Sequence, residues 1–120
     1  MTKLYKFSLD SDNKTFYVKA SGYFEEEDAK VYISEFQTIV NTINPSDHIL
    51  IIDVSEQEAV PKHVLNDIRF ALQLYNSARF EKIIIINPIS IVSKMQIDYC
   101  VKEINFNAVF VNSLEEALAS

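Results

Sequence analysis

Few side chains here combine a reactive group with a position that could use it. Asp53 closes the apolar run Leu50, Ile51, Ile52. An aspartate at the carboxyl end of a strand accepts a phosphoryl group when a nearby acidic pair holds Mg²⁺ and a lysine ends the last strand. The available acids, Asp10 and Asp12, fall in a polar hairpin turn, and Val111 leads to Asn112 where that lysine is needed. Asp53 is therefore expected to meet water or to cap backbone amides. His48 and His63 begin one strand and the following helix, so they face opposite ends of the domain. A metal site needs two or three ligands converging at about 2 Å, and both histidines are read as surface residues without a ligand role. Cys100 permits no internal disulfide and reads as a small buried hydrophobe, not a nucleophile. The run Glu25 to Asp28 reads as a solvated helix start, not a metal cluster. No Ser/His/Asp grouping has catalytic spacing, so neither catalysis nor a cofactor is expected.

The composition sets the class. The chain has 120 residues, 48% hydrophobic and 23% charged, which fits one globular domain over 1–120. With 11 basic and 17 acidic residues the net charge is −6. That balance, without a basic run, argues against nucleic acid or an anionic membrane as the main partner. One glycine, Gly22, leaves no material for a phosphate-cradling loop. The longest apolar runs, Ile49 to Ile52 and Ile83 to Ile86, fall far below the ~18 residues of a spanning helix. The opening residues alternate and carry charge, unlike a secretory leader. A cytoplasmic location without membrane insertion is expected, and the match of Asn13-Lys14-Thr15 to a glycosylation sequon is accidental there.

The elements that must position these residues follow from periodicity. Tyr5, Phe7 and Leu9 alternate with polar residues, as do Phe16, Val18 and Ala20, so two strands form a hairpin around Asp10 to Asn13. Gly22 turns the chain into a helix whose stripe is Ala29, Tyr32, Ile33, Phe36, Val40 and Ile43, ended by Pro45. The runs from His48 to Asp53 and from Lys82 to Asn87 lack alternation and read as central parallel strands covered on both faces. Between them Pro61 opens a helix with Val64, Leu65, Ile68, Ala71, Leu72 and Tyr75 on one face. A third helix after Pro88, capped by Ser90, is expected to turn Val92, Met95, Tyr99 and Ile104 inward. Ala108 to Val111 forms a last strand, and Ser113 to Glu116 is a capping box opening a closing helix with Leu114, Ala117 and Leu118. The order β-β-α-β-α-β-α-β-α gives an α/β layer domain with a mixed, mostly parallel five-stranded sheet and about four helices. Its partner surface is expected at the carboxyl ends of the strands.

Two features stand out. The stretch from Asp53 to Lys62 reads as the longest carboxyl-side loop, solvated, with Ser55 and Lys62 near a helix start where an anion or a phosphate can sit. Tyr23 and Phe24 flank Gly22, either as a staple over the first helix, which is the favoured reading, or as an exposed anchor.

The element order, the Gly22 turn into an acidic helix start and the strand-to-loop segment Ile49 to Ser55 together resemble the STAS domain of bacterial anti-sigma-factor antagonists. The likeness is closest to the divergent branch of small sporulation-antagonist-like domains. It implies a non-catalytic interaction or regulatory module. In sigma-regulating members a serine motif at the start of the second helix is phosphorylated. The matching stretch here, Ala59 to His63, holds neither serine nor glycine, and Ser55 is the nearest hydroxyl. What remains is a docking surface for an unidentified protein at Asp53, Ser55, Glu56, Gln57, Lys62 and His63, with a homodimer also admissible. The alternative is a small-molecule or lipid-binding domain of the same fold, with the isoleucines and phenylalanines lining a cavity.

Overall fold

Alternating apolar side chains build the leading hairpin. In the computed structural model, which describes residues 4–120, β1 (Tyr5–Asp10) pairs antiparallel with β2 (Thr15–Gly22), Phe7 opposite Val18. Residues 1–3 of the opening segment lie outside the described residues. Asp10 closes the turn by accepting from the Asn13 side chain at 2.7 Å.

Gly22 adopts φ +81°, in the left-handed region, and a Cβ there would lie 3.0 Å from Leu4 Cδ2. Backbone freedom and close approach both select glycine. α1 (Glu26–Val40) follows, with Asp28 accepting from the Glu25 N–H at 3.0 Å. The helix ends before Ile43, which a tighter turn reaches (Ile43 N–H to Val40 carbonyl, 3.2 Å), and Pro45 opens the 3-10 turn Pro45–Asp47. Phe24 is buried edge-on to Tyr32, whereas Tyr23 is exposed. The staple thus consists of Phe24 alone.

β3 (Ile49–Gln57) and β4 (Lys82–Ile86) occupy the sheet centre, in the order β1-β2-β3-β4-β5 with β5 (Val109–Val111), and every pair after the hairpin is parallel. α2 (Leu65–Ser77) follows the 3-10 turn Lys62–Val64, so Pro61 precedes that turn and is not itself helical. α1, α2 and α3 (Ile91–Ile104) cover one face over Phe16, Val18, Leu50, Ile52, Ile83 and Ile85. Stacked Phe16 and Phe36, with Tyr75 edge-on to Phe36, fill its centre. On the other face α4 (Leu114–Ala119) seats only Ala117 against Ile84, Ile86 and Ile51, leaving Leu114 and Leu118 exposed. The capping hydroxyl of Ser113 accepts from the Glu116 N–H at 3.1 Å, and Glu116 reaches back to the Asn112 N–H instead of to Ser113 itself.

Three expectations need correction. His48 is buried, not at the surface; its Nδ1 lies 2.8 Å from the Asn44 carbonyl and 2.6 Å from Asp47 Oδ1, tying the turn before β3. The stretch after Asp53 is not all loop, since β3 runs on to Gln57 against Gly22. α3 has the expected period but the opposite phase: Ser93, Ile97 and Cys100 face inward, while Val92, Met95 and Tyr99 face out and Ile104 is half-buried. The helix carries apolar residues on both sides, so its composition does not choose between them. The choice is made by Gln96, whose amide grips the Val60 backbone through two 2.9 Å bonds that the other rotation would break.

Candidate functional site

Asp53 organises the carboxyl end of β3. Parallel pairing places it beside Lys19 on the sheet face away from α1–α3. Its Oδ2 accepts from the Tyr17 hydroxyl at 2.7 Å, and its Oδ1 accepts from the Ser55 hydroxyl at 2.7 Å and the Ser55 N–H at 3.0 Å. Burial pushes this carboxyl up, but the Ser55 and Tyr17 hydroxyls, the Ser55 N–H and the Lys19 charge outweigh it and hold the carboxyl below its ordinary value. Tyr17 is raised, by burial first and then by its bond to Asp53, and stays a neutral donor. Asp53 thus caps an amide, and both its oxygens are occupied.

A β-bulge follows. The register moves from Lys19 opposite Asp53 to Ser21 opposite Glu56, so β3 carries one extra residue there. Strict alternation would put Asp53, Ser55 and Gln57 on one face. The bulge instead returns Glu56 to the Lys19 side, where the two pair at 2.7 Å, and sends Gln57 to the helical side. The segment is then fastened twice more: Gly22 accepts from the Glu58 N–H at 2.9 Å, and Gln96 holds Val60. Lys62 and His63 stand exposed on the 3-10 turn beyond.

The six sequence-derived residues therefore divide. Asp53 and Ser55 are bonded to each other, Glu56 joins Lys19, Gln57 turns to the core side, and Lys62 and His63 present themselves to solvent. Ser55 belongs to the strand bulge and not to the helix-leading turn, its hydroxyl committed to Asp53. Tyr17, Lys19 and Gln96 position this surface but were not among the sequence candidates. A period-2 reading puts Tyr17 and Lys19 on one face, yet only the β2–β3 register sets them beside Asp53 and Glu56.

Beneath Gln57 lies an apolar cavity of about 80 Å³ between α1 and α2, lined by residues including Phe24, Tyr32, Val54, Val60 and Tyr75. Tyr32 and Tyr75 satisfy each other by a hydroxyl hydrogen bond, and burial keeps both neutral. Gln57 and Asp67 are its polar members, and Asp67 is pushed up by burial and by Glu26. An engineered cavity that admits benzene measures about 150 Å³, so this one is too small for a lipid chain without repacking. Among the described residues no three His, Cys, Asp or Glu side chains converge as a metal site, and no helix is long and apolar enough to cross a membrane. Cys100 is buried, its thiol raised by burial, which disfavours the nucleophilic thiolate.

No family model and no curated protein matches the chain. Solved structures do. An uncharacterised protein of the DUF3478 family with a SpoIIAA-like fold, from Shewanella loihica PV-4, superposes with TM-score 0.66 at 17% identity, covering 96% of this chain and 90% of that one. An anti-sigma factor antagonist from Mycobacterium paratuberculosis gives TM-score 0.66 at 15% identity, covering 96% and 92%. The chain thus has the STAS-like, SpoIIAA-like fold that its element order implied.

Proposed function

We propose that the chain is a non-catalytic cytoplasmic interaction module that docks a protein partner through the segment from Ser55 to His63, with Asp53 fixing that segment from below. The observation that carries this reading is how the segment is held. Asp53, Gly22 and Gln96 fasten it at Ser55, Glu58 and Val60. The side chains of Glu56, Lys62 and His63 remain accessible to solvent. A preordered surface of mixed charge loses little entropy on docking. Of the titratable groups nearby, Asp53 is bonded to Tyr17 and Ser55 and Glu56 is paired with Lys19, while Lys62 and His63 stand in solvent. The likeness to an anti-sigma factor antagonist supports a regulatory partner. The absence of a serine between Ala59 and His63 argues for docking without a phosphorylation switch at that turn.

Alanine at Glu56, Lys62 and His63 together is expected to weaken a partner recovered by affinity capture by about tenfold or more, since a few interface side chains carry most binding energy. Undiminished recovery by a folded variant removes this surface from the reading. Circular dichroism checks the fold.

A further inference from the structure

We propose that the outward face of α3 is the interface of a two-fold homodimer. Ile91, Val92, Met95 and Tyr99 fall on one side of the helix, and Ile89 precedes them in the β4–α3 connection. Their exposures are 81% for Ile89, 78% for Ile91, 56% for Val92, 65% for Met95 and 56% for Tyr99. Together they display on the order of 600 Å², at the upper end of what a monomer leaves in one patch and near the ~800 Å² per partner of a standard interface.

The charges beside this stripe favour a second copy as its occupant. Lys94 and Asp98 form an ion pair at 2.9 Å on one flank. Two α3 helices packed antiparallel about a two-fold axis, centred between Met95 and Gln96, bring Val92 against Tyr99 of the second copy. Met95 then packs near the centre. The same operation brings Lys94 to within one residue position of Asp98 of the second copy, and Asp98 equally near its Lys94. A two-fold interface must be self-complementary in this way. The reversed pairing supplies opposite charges where a net charge of −6 on each chain would otherwise repel. That acidic charge also disfavours an anionic membrane surface. On its other flank Tyr99 is steadied by the Arg69 guanidinium, 5.6 Å from its ring centre, and Arg69 is in turn held by Glu103 at 2.6 Å. The aromatic anchor is therefore ordered before association. The proposal is independent of docking through Ser55 to His63, although Ile89 borders that segment through its N–H bond to the Ser55 carbonyl at 3.0 Å.

Sedimentation equilibrium from low to several hundred micromolar tests it. The wild type is expected to dimerise in this range, with Met95→Glu raising the midpoint concentration by at least about tenfold. Lys94→Asp is expected to weaken the dimer, and the double change Lys94→Asp with Asp98→Lys to restore it. If Met95→Glu fails to fold, Val92→Lys serves in its place. A wild type that stays monomeric throughout, or a dimer that none of these changes moves, overturns the proposal. So does a monomer that co-sediments with phosphatidylglycerol vesicles, which would give the face to a membrane.

Discussion

Ile85→Ala is expected to lower unfolding stability by about 2–5 kcal/mol in urea titration, the range for emptying a well-packed core site. Ile85 lies on a central strand with 2% of its surface exposed, between the flanking strands and beneath the helices of the main face. Its neighbours are held by strand pairing on both sides, so the space left by the removed atoms cannot close fully. Ile51 is equally buried but faces the other way, under Tyr17 and the short α4. That thin cover can settle into a cavity, which puts Ile51→Ala at the lower end of the same range. A change near zero at Ile85 would mean that β4 is not a central strand covered on that face.

Asp53→Ala is expected to cost about 1–3 kcal/mol at neutral pH, because it strips an ionised acceptor from two hydroxyls and an amide that are partly buried. Asp53→Asn keeps the shape and part of the accepting capacity and should cost less. The pH dependence has a definite sign. The folded carboxyl lies below its unfolded value, so its contribution is complete above about pH 4 and is lost as pH falls through the folded value. Chemical denaturation of the wild type and of Asp53→Asn should therefore converge as pH is lowered from neutral to about 2. A gap that stays constant over that span would show that Asp53 acts through packing and not through its charge.

Most of the frame was legible in the residues. The hairpin and the acid-led first helix each follow from a period that only one kind of element satisfies, the two isoleucine strands from short apolar runs with polar ends, and their order resembles one fold. Three local matters were not legible, for separate reasons. α3 offers apolar residues to both sides, and its rotation is chosen by Gln96 gripping Val60, a contact between residues far apart in sequence. The bulge near Ser55 reverses the face of Gln57, and the polar run Ser55 to Glu58 has no alternation in which the phase shift could be read. His48 is polar at a strand start, a position that reads as exposed, yet Asn44 and Asp47, at the two ends of the turn before it, supply both of its partners. At the candidate surface the sequence marked Asp53, Ser55 and the turn residues. The supports at Tyr17, Lys19 and Gln96 arise from strand register and helix rotation, which depend on the assembled fold.

Hydrogen–deuterium exchange of the chain with and without its captured partner tests the docking surface most directly. Slowed exchange is expected across residues 55–63, with the exposed sheet face of β1 unchanged. Protection confined to α3 or to that sheet face, with 55–63 exchanging as in the free chain, would contradict docking through this segment.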